Sequence, residues 1–241
     1  AFRRKPISED EILSSRMLNY PLTQYMFRAP DEGAAAVVLC RADIARRYTS
    51  SPLYLKAAAM RTRTYGAYEV HNSWAAVQED VAPTVYASKA AYEMAGIGPE
   101  DVDVIQLQDT DAGAEVIHLA ENGFCADGEQ EKLIADGATE IAGSMPVNTD
   151  GGLIANGEPI GASGLRQIHE VVLQLRGQAG ERQLAKADVA LVHGDFRIGN
   201  VMVGDTEQIE AQVPLPEIIA SWAPGEAEFD FTTLDPPLRA G

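Results

Sequence analysis

The sequence predicts a layered α/β fold, and three observations carry that expectation. Apolar runs of strand length alternate with segments of helical spacing along most of the 241 residues. Hydrophobic residues make up 46% of the chain and charged residues 23%, so a real core can be buried. No tandem repeat at solenoid spacing breaks the alternation. The length suits one large domain or two modest ones.

Residues 8–19 open with Ser8 and place Glu11 three positions on, a capping-box pattern, and stop before Pro21; a short helix is expected. A loop with Pro30, Asp31 and Gly33 leads into Ala34 to Cys40, a small and branched apolar run that reads as a buried strand, with Leu53 to Ala59 as a second. A helix is predicted over 81–95, ended by Gly96. Val102 to Gln108 has the density of a central strand, and Ala112 to Asn122 follows as a helix closed by Gly123. Another short helix falls at 128–136, then a polar Gly-rich loop from Asn148 to Gly157. Leu165, Ile168, Val171, Val172 and Leu175 make one helical stripe, which predicts a helix over 160–176. Two last strands are expected at 188–191 and 200–203. Residues 206–241 hold five of the 13 prolines and an acidic cluster, so they read as a tail, a linker or an edge.

The net charge of −17 is unevenly spread: residues 1–66 hold 11 Lys/Arg against 6 Asp/Glu, the remainder 8 against 30. Such an acidic face repels phosphate backbones, which argues against nucleic acid as a ligand. The basic start would suit an anionic ligand, an acidic partner, or simply a solvated face. No uncharged run approaches the roughly 20 residues that span a bilayer, and a cytoplasmic protein is expected. Cys40 and Cys125 are too few for a disulfide scaffold or a Cys-rich zinc site. No His-x-x-x-His or His/carboxylate spacing suggests a metal. His118, mid-helix, and His169, beside the apolar stripe, read as partly buried structural residues.

Two segments carry a family resemblance. Residues 102–129, from Val-Asp-Val-Ile-Gln-Leu-Gln-Asp-Thr-Asp to Asn-Gly-Phe-Cys-Ala-Asp-Gly-Glu, and residues 146–177, beginning Pro-Val-Asn-Thr-Asp-Gly-Gly-Leu-Ile-Ala-Asn-Gly-Glu-Pro-Ile-Gly, resemble the C-terminal half of the thiolase superfamily. The branch is that of sterol-carrier-type thiolases and bacterial lipid-transfer proteins. Lys5-Pro-Ile-Ser-Glu and Asp31-Glu-Gly-Ala-Ala-Ala-Val-Val-Leu resemble it as well, which extends the similarity over roughly residues 5–205. The resemblance implies a mixed sheet covered by helices, with the first half of the family fold missing. Residues 1–50 would then close the N-terminal half and connect it, 51–205 would be the C-terminal domain, and 206–241 a Pro-rich acidic tail or linker.

Family members carry a nucleophilic Cys in the first half, a His in a His-Asp-Cys-Phe segment and a His in Gly-His-Pro-Leu-Gly. The first is expected to have no counterpart here. At the second the sequence reads Gln108-Asp109-Thr110-Asp111, and at the third Gly157-Glu158-Pro159-Ile160-Gly161. In thiolytic acyl transfer a thiolate attacks a thioester, and imidazoles activate it and donate to the developing oxyanion. A carboxylate at Glu158 cannot donate unless protonated, and the Gln108 amide donates but shuttles no proton. Ordinary Claisen turnover is therefore expected to be impaired or absent. A related branch cleaves acyl-CoA esters by retro-aldol chemistry with tyrosines at or near these motifs, and neither motif holds a Tyr here. Gln108, Asp109 and Glu158 remain the candidate catalytic residues, with Asp109 or Glu158 as general base; the bland role for Asp109 is a cap on the helix over 112–122. Asn148, Gly151, Gly152, Gly157, Gly161 and Ser163 are the candidate substrate wall, since slim residues let a thioester approach the backbone, although tight helix-on-sheet packing would use them equally.

The resemblance implies a coenzyme A ester as substrate with no further cofactor, and as partners a homodimer or a small zinc-ribbon/OB-fold protein. It points to an acyl-CoA-handling protein of lipid or sterol catabolism, either acyl-transferring or carbon–carbon cleaving, or to a non-catalytic acyl-CoA-binding or scaffold subunit. Tyr65, Tyr68, His71 and Trp74 form a polar-aromatic loop that the resemblance places near the acyl tunnel. A lesser alternative rests on His193-Gly-Asp-Phe-Arg-Ile-Gly-Asn200, which is similar to the catalytic loop of aminoglycoside-phosphotransferase-like kinases. The Gly-rich nucleotide loop, its Lys and a second metal-binding Asp are not evident, and the same residues fit the thiolase family's last hairpin.

Overall fold

The computed structural model describes residues 3–62 and 81–194, together with the backbone of 200–204 and 216–224. The polar-aromatic loop Tyr65 to Trp74, Asp195 to Gly199 of the kinase-like motif, and the tail beyond 224 lie outside the described residues. Strands Gly33–Arg41 (β3), Tyr54–Ala59 (β4), Val104–Gln106 (β5), Val189–His193 (β6), Asn200–Gly204 (β7) and Pro216–Pro224 (β8) form one six-stranded sheet in the order β3-β8-β4-β7-β6-β5. The sheet is mixed: β5 and β6 are parallel, the other neighbours antiparallel. Met17–Asn19 (β1) and Leu22–Thr23 (β2) pair separately as a small hairpin.

Side-chain alternation in the central strands sends apolar residues to both faces. Val104, Ala190 and Val192 pack with Ile168, Val171 and Val172 of the helix Ser163–Leu175 (α7). Ile105 and Leu191 face the other way, onto Ala91 of Pro83–Ala95 (α3) and Leu119 of Ala112–Glu121 (α4). Helices on both faces of a mixed sheet follow from that double burial, each fully buried aliphatic side chain contributing about 1.5–3 kcal/mol. Shorter helices at Glu9–Leu13 (α1), Ala42–Ala45 (α2), Gln130–Ala135 (α5) and Gly152–Asn156 (α6) join these layers.

Several expectations need correction. The helix expected over 8–19 ends at Leu13, and Met17–Asn19 is a strand. Ser8 does cap it, accepting from the Glu11 N–H at 3.2 Å, but Ser14 and Ser15 turn their hydroxyls back onto Asp10 O and Ile12 O and close the helix early. The expected strand over 102–108 is confined to Val104–Gln106, because the next residue, Leu107, gives its N–H to the Asn148 side chain at 2.9 Å instead of to a neighbouring strand. The Gly-rich loop contains the short helix α6. The helix expected over 160–176 begins at Ser163, so Glu158 sits five residues before it rather than at its start. Within the segment read as a tail, Pro216–Pro224 is a strand in full antiparallel register with β3, from Gly33 opposite Pro224 to Arg41 opposite Pro216. Prolines at both of its ends masked an interior that holds the β-favouring residues Ile218, Ile219 and Trp222.

Candidate functional site

The surroundings of Glu158 form a corner assembled from three distant stretches of chain. Residues 27–30 run between the other two. Phe27 bridges Asp111 in antiparallel fashion and Pro30 bridges Glu158 in parallel fashion. The Arg28 N–H donates to Thr110 O at 3.0 Å, and the Glu158 N–H donates to Ala29 O at 2.9 Å. These main-chain bonds hold Gln108-Asp109-Thr110-Asp111 beside Gly157-Glu158, so the two loops that the sequence singled out do meet.

The side chains within the corner are buried and engaged with one another. Gln108 Nε2 donates to Glu158 Oε1 at 3.2 Å, and Glu158 Oε2 forms an ion pair with Arg28 Nε. Gln108 is 4% and Glu158 7% exposed, whereas the Arg28 side chain is 32% exposed. A buried carboxylate is tolerable only when paired and hydrogen-bonded, and Arg28 with Gln108 meets that need. Arg28 was missed by sequence reasoning; an arginine in an irregular segment carries no local signal for a partner 130 residues away.

Asp109 does something other than cap α4. Its carboxylate accepts from the N–H of Leu153 at 2.7 Å and of Ile154 at 3.0 Å, closing the N-terminal turn of α6 from 44 residues away. The cap on α4 belongs to Asp111, which accepts from the Ala114 N–H at 3.0 Å. Asp111 lies directly before the first helical residue, the cap position, and Asp109 lies one strand pitch too early. Burial pushes the Asp109 carboxyl up to about 7; the two backbone donors pull it down, Glu115 pushes it further up and Arg166 pulls it down. The α6 turn fits against it because residue 152 is glycine. A Cβ on Gly152, at φ +61°, would run into the Asp109 carboxylate.

The other candidates serve mostly internal bonds. Asn148, at φ +49°, accepts from the Leu107 N–H through Oδ1 at 2.9 Å and donates through Nδ2 to Glu115 Oε2 at 2.7 Å. Ser163 is buried and donates to Pro159 O at 3.3 Å. Gly157, at φ +78°, admits Asp31, whose Cβ would lie 2.6 Å from an added Cβ. Gly151 is exposed beside Ala155, and Gly161 is exposed with open space around it, next to Ile160 at 80% exposure. The outward-facing positions of the two segments are therefore Gly151, Ile160 and Gly161. Asp150, unremarked in the sequence, pairs with the buried Arg166 and accepts from Gln106 Nε2 at 3.3 Å, fixing the loop from below.

His118 Nδ1 is 2.8 Å from Glu121 Oε2, and its ring lies 4.2 Å from that of His193, whose Nε2 is 3.2 Å from Thr84 Oγ1. Burial, with a smaller contribution from His118, pushes His193 down to about 3, so it is neutral. Opposite it in register stands Asn200, on the antiparallel strand β7. An open groove of about 700 Å³ runs between the C-terminal ends of α3 and α4, lined by Ser88, Tyr92, Glu93, Glu121 and Asn122 among others; Gln108, Asp109 and Glu158 are not in its wall. Among the described residues, no helix is long and apolar enough to cross a membrane.

A mixed sheet between helices, with a buried amide–carboxylate pair where two loops meet, defines an α/β protein whose candidate site lies at loop ends beside a helix N-terminus. Comparison with known proteins narrows the class. A family model described as thiolase C-terminal domain-like matches residues 68–204. The chain is 37% identical over 187 residues to an acetyl-CoA acetyltransferase of Methanothermobacter thermautotrophicus, covering 78% of this chain and 48% of that protein. It is 34% identical over 192 residues to sterol carrier protein 2 of Oryctolagus cuniculus, covering 79% and 35%. With the benzoylsuccinyl-CoA thiolase subunit BbsB of Thauera aromatica it shares 32% over 195 residues, covering 80% and 49%. A solved Ltp2-ChsH2(DUF35) aldolase has the same fold, with a TM-score of 0.69 at 24% identity over 85% of this chain and 53% of that one. The chain belongs to the thiolase superfamily and corresponds to its C-terminal half. It spans half or less of the length of these curated relatives.

Proposed function

We propose that this chain binds an acyl-CoA thioester, of fatty or sterol-derived acyl group, as a thiolase-like subunit of lipid catabolism that holds its ligand without performing Claisen chemistry. The observation that carries the reading is the Arg28–Glu158–Gln108 cluster. In thiolase-type chemistry the two loops supply imidazoles; here they supply an amide and a carboxylate already bonded to each other and to a guanidinium. The Gln108 amide carries no titratable proton, and both Glu158 oxygens are already engaged, by Gln108 and by Arg28. The exposed Gly151, Ile160 and Gly161 are the proposed surface for the thioester, with Asn148, Gly152, Gly157 and Ser163 buried behind them. No cofactor beyond the coenzyme A ester is invoked. A homodimer or a zinc-ribbon/OB-fold partner is the proposed assembly; the solved Ltp2-ChsH2(DUF35) aldolase, whose name joins two components, supports the second form.

One observation favours a catalytic reading. Asp109, poised at about 7, has the proton affinity of a general base. Its two oxygens are occupied by the Leu153 and Ile154 N–H groups, which weighs against it. Calorimetry with acetyl-CoA, acetoacetyl-CoA and a long 3-ketoacyl-CoA, run beside a turnover assay on the same ligands, separates the two. Binding without turnover is the expected result. Turnover abolished by Asp109→Asn would establish the catalytic reading instead, and no binding of any of the three would dismiss both.

A further inference from the structure

We propose that Arg28 supplies the hydrogen-bond donor for the thioester carbonyl, aligned for that task by Glu158 and standing in for the imidazoles that the two loops lack. The inference deepens the acyl-CoA reading and rests on it.

Three features of the corner point to this residue. First, position: the Arg28 backbone is pinned to Thr110 O, and its neighbours Ala29 and Pro30 are pinned to Glu158, so its side chain originates between the two substituted loops. Second, exposure: Gln108 and Glu158 are buried, while the Arg28 side chain keeps about a third of its surface open. Third, donor capacity: the guanidinium has five N–H groups in a fixed fork, and the ion pair with Glu158 engages it through Nε. The close contact with Glu158 is made through Nε, and about a third of the side chain stays open to solvent. A carboxylate on the Nε edge locks the plane of the fork, which cuts the side-chain entropy lost when a ligand oxygen meets the far edge.

Charge then selects the ligand. Within segments 27–33, 108–111 and 148–162 the charged residues are Arg28 against Asp31, Glu32, Asp109, Asp111, Asp150 and Glu158, and two further arginines reach in from outside: Arg166 pairs with Asp150, and Arg3 donates to Phe27 O at 3.1 Å. Glu158 cancels the charge of Arg28, and the surplus is acidic. A free carboxylate would meet repulsion there, whereas a neutral thioester carbonyl, whose oxygen is only partly negative, would accept from the fork without that cost. The corner is thus built to read the carbonyl of an ester rather than an acid.

The test compares octanoyl-CoA with S-octyl-CoA, a thioether identical except for the missing carbonyl, by calorimetry on the full chain. Wild type is expected to prefer the thioester about tenfold, the discrimination of one charge-assisted hydrogen bond. Arg28→Gln removes the cation and should bind the two ligands nearly equally, whereas Arg28→Lys, whose ammonium keeps donors beyond the one facing Glu158, should retain only part of the preference. Isotope-edited infrared of the carbonyl-labelled octanoyl-CoA checks wild type alone and needs no variant to fold: the stretch should move to lower frequency on binding. Equal wild-type affinities, a preference that survives Arg28→Gln, or an unshifted carbonyl would each overturn the role of Arg28 while leaving coenzyme A ester binding intact. Failure of both ligands to bind would instead remove the acyl-CoA reading and this inference with it.

Discussion

Replacing Asp109 by asparagine separates two opposing consequences of its burial. The carboxyl rises from its ordinary 3.8 to about 7 in the folded protein. Between those values the native state holds a proton that the unfolded chain has released, so stability falls as pH rises through roughly 4 to 7. A shift of about 3 units corresponds to about 4 kcal/mol across the window, an upper figure for a single carboxylate. The asparagine side chain cannot titrate, and like the protonated carboxyl it offers the α6 amides a neutral acceptor oxygen. The difference in unfolding free energy, Asp109→Asn minus wild type, should therefore become more positive by about 2–3 kcal/mol between pH 5 and pH 8. Using the difference matters because other groups titrate as well. Glu115, raised chiefly by burial, acts in the same direction as Asp109, and His193, held neutral by burial, acts in the opposite one. Urea titrations followed by far-ultraviolet circular dichroism at pH 5, 6, 7 and 8 give the curve. Parallel profiles for the two proteins would show that the Asp109 proton affinity is ordinary and that the assigned desolvation is wrong.

Four further outcomes follow from the same geometry. Gly152→Ala should lose about 2–3 kcal/mol in urea unfolding, from an unfavourable positive φ and collision with Asp109, while Gly161→Ala, with open space around it, should change stability by less than about 0.5 kcal/mol. Asp111→Ala should cost about 1 kcal/mol by removing the α4 cap, and Asp111→Ser should retain most of that stability in the same assay. His193 lies far below its ordinary 6.5, so the unfolded chain takes up its proton first and stability is lost as pH falls from about 6.5 towards 3; His193→Gln should flatten that limb of the acid-unfolding curve. Arg28→Gln should lower the thermal midpoint by more than Arg28→Lys, because it strands the buried Glu158 carboxylate.

What the sequence revealed and what it hid divide along sequence separation. The stripe Leu165, Ile168, Val171, Val172, Leu175 made α7 legible because all its information lies within about three turns, and Ile168, Val171 and Val172 are indeed in the core. The resemblance named Gln108, Asp109 and Glu158 as one candidate set, and in the fold Gln108 does touch Glu158. The use of Asp109 was not legible. Capping is ordinarily read from adjacent residues, and its partners lie 44 positions on, after an intervening helix pair. Arg28 was hidden for the same reason. The hairpin β1–β2 was hidden by a genuine helix start at Ser8 whose continuation is stopped by two serines bonding their own main chain. At β8, prolines that would break an inner segment of sheet fall at the two ends of the strand, where they are tolerated.

The threading of residues 27–30 between the two loops bears on how this protein can be cut. The family match begins at residue 68, and excision there yields a tidy fragment by sequence criteria. Such a fragment would leave Thr110 O without the Arg28 amide, the Glu158 amide without Ala29 O, and the Glu158 carboxylate without its guanidinium. Expression boundaries, and any chimera grafting this domain onto another scaffold, should therefore start upstream of Phe27. The strap is short, but the corner is not transplantable without it.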